Sequence, residues 1–270
     1  MSAATFKYKI NPPKIHQAET ASRIIRGAMT NHITGRIAAV RGDAIELEGM
    51  TAPIGAICEV CPDTPNSRLA RVIGFQGVRP IIAALETMAP IAAGDKVRLV
   101  GGSMNLRAGA SLCGRVIDAL GRPIDGKPLP DDLAPVDSTR MAPESLDRPP
   151  IDTPLQTGVR AIDSMLTCGN GQRLGIFAGS GVGKSTLLGM LARGSSADRI
   201  VICMVGERGR EVQEFIQRSL GEEGLRRSVV VVATSDRPAA QRIAATWTAT
   251  AIAESFRDEG KNVLLLMDSV

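Results

Sequence analysis

Beyond residue 173 the chain alternates short apolar runs with longer stretches of helical period. The run at 174–177 precedes a helical stretch at 187–193, 200–205 precedes 211–220, 229–233 precedes 238–257, and 263–267 closes the series. Short β-branched runs separated by helices predict parallel strands joined by crossover helices, an α/β domain. The stretch 238–259 is the best specified helix. Asp236 sits just ahead, Pro238 suits the first turn, Ala245, Ala249, Ile252 and Phe256 recur at helical spacing, and Gly260 closes it. Its lone Trp247 reads as packing. Upstream, β-like segments at 35–40, 44–48, 56–60, 70–75 and 96–100 are punctuated by Gly, Pro and Asp, which fits a small all-β barrel or sandwich. Eight of the 16 prolines fall within 123–154, a density that neither a central strand nor a helix interior tolerates. The expected order is a docking segment over 1–29, a β-barrel domain over 30–105, a proline-rich connection over 106–155 and an α/β domain over 156–270.

Composition narrows the class without deciding it. The 270 residues are 44% hydrophobic with net charge +4, enough apolar material for two modest cores and too little clustered basic charge for a primary nucleic-acid binder. No apolar run approaches a membrane span and no signal-peptide core follows the early lysines, so a cytoplasmic protein is expected. The cysteines at 58, 61, 113, 168 and 203 are odd in number and lack a disulfide rhythm, which reads as reduced thiols. Cys58 and Cys61 have metal-ligand spacing, but no second such pair follows them, and a closed zinc site needs four ligands.

The chemistry concentrates after the first apolar run. Ala178, Gly179, Ser180, Gly181, Val182, Gly183, Lys184 and Ser185, followed by Thr186, form a phosphate-binding loop between a predicted strand and a predicted helix. Its glycines let backbone N–H groups turn inward on an anion while the helix adds its positive end. Lys184 is placed to reach the β- and γ-phosphates, and the Ser185 hydroxyl to ligate Mg²⁺. The strict pattern begins with Gly where this chain has Ala178, a mild departure because only small size matters there. Two carboxylates follow apolar runs, where ligands gather on a parallel sheet: Asp268 as a Mg²⁺ partner and Glu207, after Gly206, as the group that activates water.

These segments, with Gly206-Glu207-Arg208-Gly209-Arg210-Glu211 and the stretch from Ala233-Thr234-Ser235-Asp236-Arg237-Pro238 to Asp268, closely resemble the ATPase of type III secretion systems and its flagellar counterpart, relatives of the rotary ATP synthase β subunit. The likeness extends back through the Gly114–Gly126 and Gln156–Asp163 strings and covers most of the chain beyond about residue 30. The Thr-Ser-Asp-Arg-Pro stretch looks more like the injectisome branch than the flagellar one. The resemblance implies a Mg-ATP-driven homo-hexamer, peripheral at the inner face of the membrane, that works with stator and stalk proteins, detaches secretion chaperones and unfolds exported proteins. In it Lys184 and Glu207 are catalytic, Arg208 shapes the site, residues 178–186 hold ATP, and Ser185 and Asp268 serve Mg²⁺.

The family continues beyond the position matching Val270, with an arginine that reaches a neighbouring site, an adenine-contacting aromatic and a helical domain. This polypeptide alone is therefore expected to bind nucleotide weakly and to hydrolyse it poorly or not at all. Competing readings are a flagellar export ATPase, a Rho-like RNA translocase and a non-catalytic ring subunit. Phe75 is the only aromatic within 30–120, which argues against an RNA-stacking face.

Overall fold

The computed structural model describes residues 33–179 and 181–269, so the expected docking segment at 1–29 and Ser180 lie outside the described residues. Strands β1 (Thr34–Arg41), β2 (Ala44–Glu48), β3 (Ile57–Val60), β4 (Arg68–Gln76), β5 (Arg79–Ala84) and β6 (Lys96–Gly101) close into an antiparallel barrel in the order β1-β2-β5-β4-β3-β6. Its interior is filled by Ile37, Ile45, Leu47, Val60, Val72, Ile82 and Val97 from alternating positions, as the two-residue period of a strand requires. β5 carries Pro80 opposite Phe75 of β4, and its pairing with β2 begins only at Ile81, so the missing N–H of the proline is not called upon.

Short strands β7 (Leu106–Ala108), β8 (Val116–Asp118), β9 (Ala134–Val136), β10 (Pro154–Leu155) and β11 (Cys168–Gly169) follow, with helix α1 (Arg160–Met165) between the last two. The rest comprises α2 (Lys184–Gly194), β12 (Arg199–Val205), α3 (Gly209–Glu214), a π-helical turn at Phe215–Leu220, α4 (Gly221–Arg226), β13 (Ser228–Ala233), α5 (Ala239–Asp258) and β14 (Val263–Asp268). The sheet runs β14-β12-β13-β8, and all its pairings are parallel. Alternate residues divide between its two faces. Val201, Cys203, Val229 and Val231 pack with Ala245, Ala249, Ile252 and Phe256 of α5, whereas Ile200, Ile202, Met204, Val230 and Val232 pack with Leu188, Leu191, Phe215 and Leu220. The result is a helix–sheet–helix sandwich.

Two elements depart from expectation. The apolar run at 174–177 forms no strand, and Leu174 and Phe177 are exposed, Phe177 at 96%. Conversely β8, inside the segment expected as a proline-rich connection, joins the sheet through three residues paired with β13.

Both strings that carry the family likeness ahead of the phosphate loop are structural clamps. Arg115 donates to both oxygens of Asp125 at 2.6 and 2.8 Å and to the carbonyls of Lys127 and Pro128. Asp118 Oδ1 accepts the N–H groups of Leu120 and Arg122, which closes the turn at Gly121. Asp163 accepts from Thr157 Oγ1 and from the backbone N–H groups of Thr157 and Gly158, fixing the entry to α1.

Candidate active site

The phosphate loop leads into α2, with Gly181 and Gly183 at φ 78° and 99°. These are left-handed conformations that a side chain would strain. A Cβ at Gly179, Gly181 or Gly183 would meet nothing within 4 Å, so the space beside each of these glycines is open. Lys184 and Ser185 begin the helix, and Thr186 follows on the same first turn. A cavity of about 790 Å³ is lined by Ala178, the loop glycines, Lys184, Ser185 and Thr186, and is closed by Glu207, Glu211, Phe215 and Asp268. Val182 is largely exposed, at 69%.

Asp268 ends β14 and is 2% exposed. The Lys184 ammonium forms an ion pair with its Oδ1, and the Ser185 hydroxyl lies 3.5 Å from its Oδ2. Oδ1 has no hydrogen-bond partner of good geometry, so the contact with Lys184 is chiefly one of charge. A buried carboxylate needs such compensation. By its place in the sequence Lys184 is expected at the phosphates. In this structure it is turned on Asp268.

Glu207 follows β12 through Gly206, at φ 77°, which swings the chain out of the sheet. Its backbone is held from the next strand: Ser235 N–H donates to the Glu207 carbonyl at 3.0 Å, and Gly206 N–H donates to Ala233 at 2.8 Å. Desolvation foremost, then a hydrogen bond with Glu211 and the charge of Asp268, raise the Glu207 carboxyl above the ordinary range. Glu211 moves the opposite way, lowered by that hydrogen bond and by Arg208. Arg208, at the start of α3, is paired with Glu211 at 3.2 Å. Glu211, Glu214, Phe215 and Arg218, which are not among the expected site residues, also line the cavity. The signal available was their helical spacing downstream of Glu207, which places one face of α3 and the π-helical turn toward the loop.

The donor set suits a magnesium ion carried by a nucleotide: a buried carboxylate oxygen without a hydrogen bond, a hydroxyl beside its partner oxygen, and an open phosphate loop next to both. Residues 158–270 match the family described as ATP synthase alpha/beta family, nucleotide-binding domain. The flagellum-specific ATP synthase of Bacillus subtilis is 51% identical over 238 residues, covering 87% of this chain and 54% of that protein. The SPI-2 type 3 secretion system ATPase of Salmonella typhimurium is 49% identical over 212 residues, covering 78% and 49%. Among solved structures, the assembled ATPase EscN of the enteropathogenic E. coli type III secretion system aligns with TM-score 0.77 at 46% identity, over 87% of this chain and 57% of that one. EscN in complex with its central stalk EscO aligns with TM-score 0.78. The chain spans about half the length of the curated relatives it matches. Over residues 158–270 it carries the nucleotide-binding domain of the ATP synthase alpha/beta family, and its homologues are the flagellar and type III secretion ATPases.

Proposed function

We propose that this chain supplies the barrel and the ATP site of an ATPase that energises type III protein export. The observation that carries the reading is the convergence of Lys184, Ser185 and Asp268 beneath an open phosphate loop, with Glu207 on the same cavity. The loop N–H groups and Lys184 hold the phosphates, with Ala178, Gly179, Gly181, Val182, Gly183, Ser185 and Thr186 around them. Ser185 and Asp268 hold Mg²⁺, which when bound neutralises phosphate charge. Glu207, whose carboxyl desolvation raises above the ordinary range, is a stronger base when ionised and accepts a proton from the attacking water, and Arg208 holds Glu211 so that the two carboxyls stay paired. The assembled EscN and its complex with the central stalk EscO support a multi-subunit assembly on a stalk for this chain, and the family resemblance makes that assembly a ring of six. No helix of the described residues is long and apolar enough to cross a membrane. Docking at the inner face of the membrane is the role the family resemblance gives to residues 1–29 and to partner proteins. Chaperone release and substrate unfolding are the work assigned to turnover. The injectisome branch is favoured over the flagellar one by the 233–238 stretch, and the flagellar relative's 51% identity is the counter-observation.

The test is Mg-ATP turnover of the 270-residue chain beside the same chain joined to the C-terminal half of a flagellar relative, each with a Glu207→Gln control. Turnover in the joined protein that Glu207→Gln abolishes supports the reading. Turnover indifferent to Glu207→Gln overturns the assignment of the base.

A further inference from the structure

Lys184 stands at the first position of α2, and its ammonium is turned to Asp268 at the end of β14. The two oxygens of that carboxylate have different company. Oδ1 takes the lysine, without a hydrogen bond of good geometry, and Oδ2 lies 3.5 Å from the Ser185 hydroxyl. The Asp268 side chain is 3% exposed and that of Lys184 is 29% exposed, so the carboxylate is the fixed, buried partner and the lysine is the one with room to leave. Both residues line the same cavity of about 790 Å³ as the phosphate loop, and a flexible four-carbon stem lets the ammonium reach from one wall to another.

The lysine thus sits on the oxygens that a divalent cation needs. Two cations at one buried carboxylate repel each other strongly, because little water screens them there. Asp268 cannot do without a cation either, since a buried carboxylate stripped of its partner is costly. The site therefore holds one cation at a time, and which one it holds depends on whether a negative group is present to take the lysine. The phosphate loop is where such a group gathers, at the positive end of α2.

We propose that Lys184 is a resident stand-in for the metal: with the loop free of nucleotide it occupies Asp268 and keeps a free divalent cation out, and when phosphates draw it onto the loop it uncovers Asp268 and Ser185. The inference rests on the metal assignment of the proposed function and goes beyond it, because it makes metal binding conditional on the phosphates. The same side chain closes the site at rest and opens it when the nucleotide arrives.

The test uses the 270-residue chain without nucleotide and Mn²⁺ as the probe, its free concentration read by electron paramagnetic resonance. The parent chain is expected to show no Mn²⁺ uptake that Asp268→Asn removes. Lys184→Met is expected to bind Mn²⁺ about tenfold or more tightly than the parent, because its buried carboxylate has lost its cation. Lys184→Arg keeps the charge and should stay closed, and Lys184→Met combined with Asp268→Asn should lose the new site. Lys184→Met binding no better than the parent, or a new site that persists in the double variant, overturns the proposal. Nucleotide-free uptake by the parent that Asp268→Asn removes also overturns it, and this arm stands even if Lys184→Met fails to fold. Asp268-dependent uptake of Mn-ATP by the parent tests the metal assignment itself: its absence sinks that assignment, whereas its presence beside a Lys184→Met chain that ignores free Mn²⁺ sinks only the stand-in role.

Discussion

Asp268 is the residue on which the site's charge balance turns. At 2% exposure its carboxylate is tolerable because Lys184 sits against it. In the proposed reading a nucleotide carrying Mg²⁺ would bring a second cation to the same oxygens, and Asp268 would then link metal to protein. Asp268→Ala is therefore expected to leave metal-free nucleotide binding near its original level while removing about tenfold or more of the gain that Mg²⁺ provides, roughly 1.4 kcal/mol. Titration of a fluorescent ATP analogue with and without chelator measures the difference, and equal Mg²⁺ dependence in both proteins would sink the assignment. Glu207 carries a different expectation. In the chain joined to a relative's C-terminal half, Glu207→Gln is expected to lower turnover about 10²- to 10⁴-fold with little change in nucleotide affinity. Because burial raises its carboxyl, the ionised base is lost as pH falls through a value above the ordinary carboxylate range, and the acid limb of the rate profile should lie correspondingly high. Of these relations the sequence announced the residues but not the pairing. Ser185 and Asp268 stand 83 positions apart, and only the parallel register of β12 and β14 brings the end of one apolar run back over the start of α2.

At the scale of elements, α2 and the π-helical turn touch backbone to backbone. A Cβ at Gly189 would stand 2.4 Å from the Ser219 carbonyl oxygen, a clash that no rotamer change relieves. The helix after the phosphate loop is thereby seated directly on the helix that starts beside Glu207, and the wider π turn lies at this contact. Gly189→Ala should destabilise the fold by about 1–3 kcal/mol, as overpacking does, and should lower turnover more than it weakens nucleotide binding. Thermal melts and a split between kcat and KM check both halves, and an unchanged melting temperature would show that the two helices part easily. Asp125 makes a second test, of the clamp on β8. Arg115 holds its carboxyl far below the ordinary range, so its contribution is present above about pH 4, the unfolded value, and is lost as pH falls toward the folded one. Asp125→Asn should cost about 3 kcal/mol at neutral pH, with the gap to the parent chain narrowing in acid. The same elements show where sequence reading stops. Runs such as Val229–Ala233 declare themselves because both faces of a parallel strand are buried. β8 is too short to show a period, Pro80 disguises β5, and the apolar run at 174–177 lacks the neighbour that would make it a strand. Gly189 looks in sequence like any weak spot in a helix, since its reason lies in a carbonyl thirty residues on.

Among the described residues from Thr34 onward, barrel and sheet are not separable bodies. Ile57 and Leu85 of the barrel region share one buried cluster with Leu106, Ile117, Val231 and the inner face of α5. The Arg71 guanidinium of β4 lies 3.7 Å over the ring of Trp247, the only tryptophan of the chain, and also reaches the Gly55 carbonyl. Such a cation–π contact is worth about 1–2 kcal/mol when partly desolvated. A shared core means that neither half can open without exposing apolar surface of the other, and the chain should therefore unfold in one step. Two thiols make this measurable. Cys58 is wholly buried in the barrel and Cys203 in the sheet, with burial pushing their thiols up to about 11 and about 12, so both are inert in the folded state. In rising denaturant both should become reactive to a thiol reagent at the same midpoint, coincident with the change in Trp247 fluorescence. Arg71→Met should shift all three midpoints together, because the contact it removes belongs to the common core. If Cys58 reacted well before Cys203, the barrel would be opening alone, and the coupling drawn from the shared cluster would have to be abandoned.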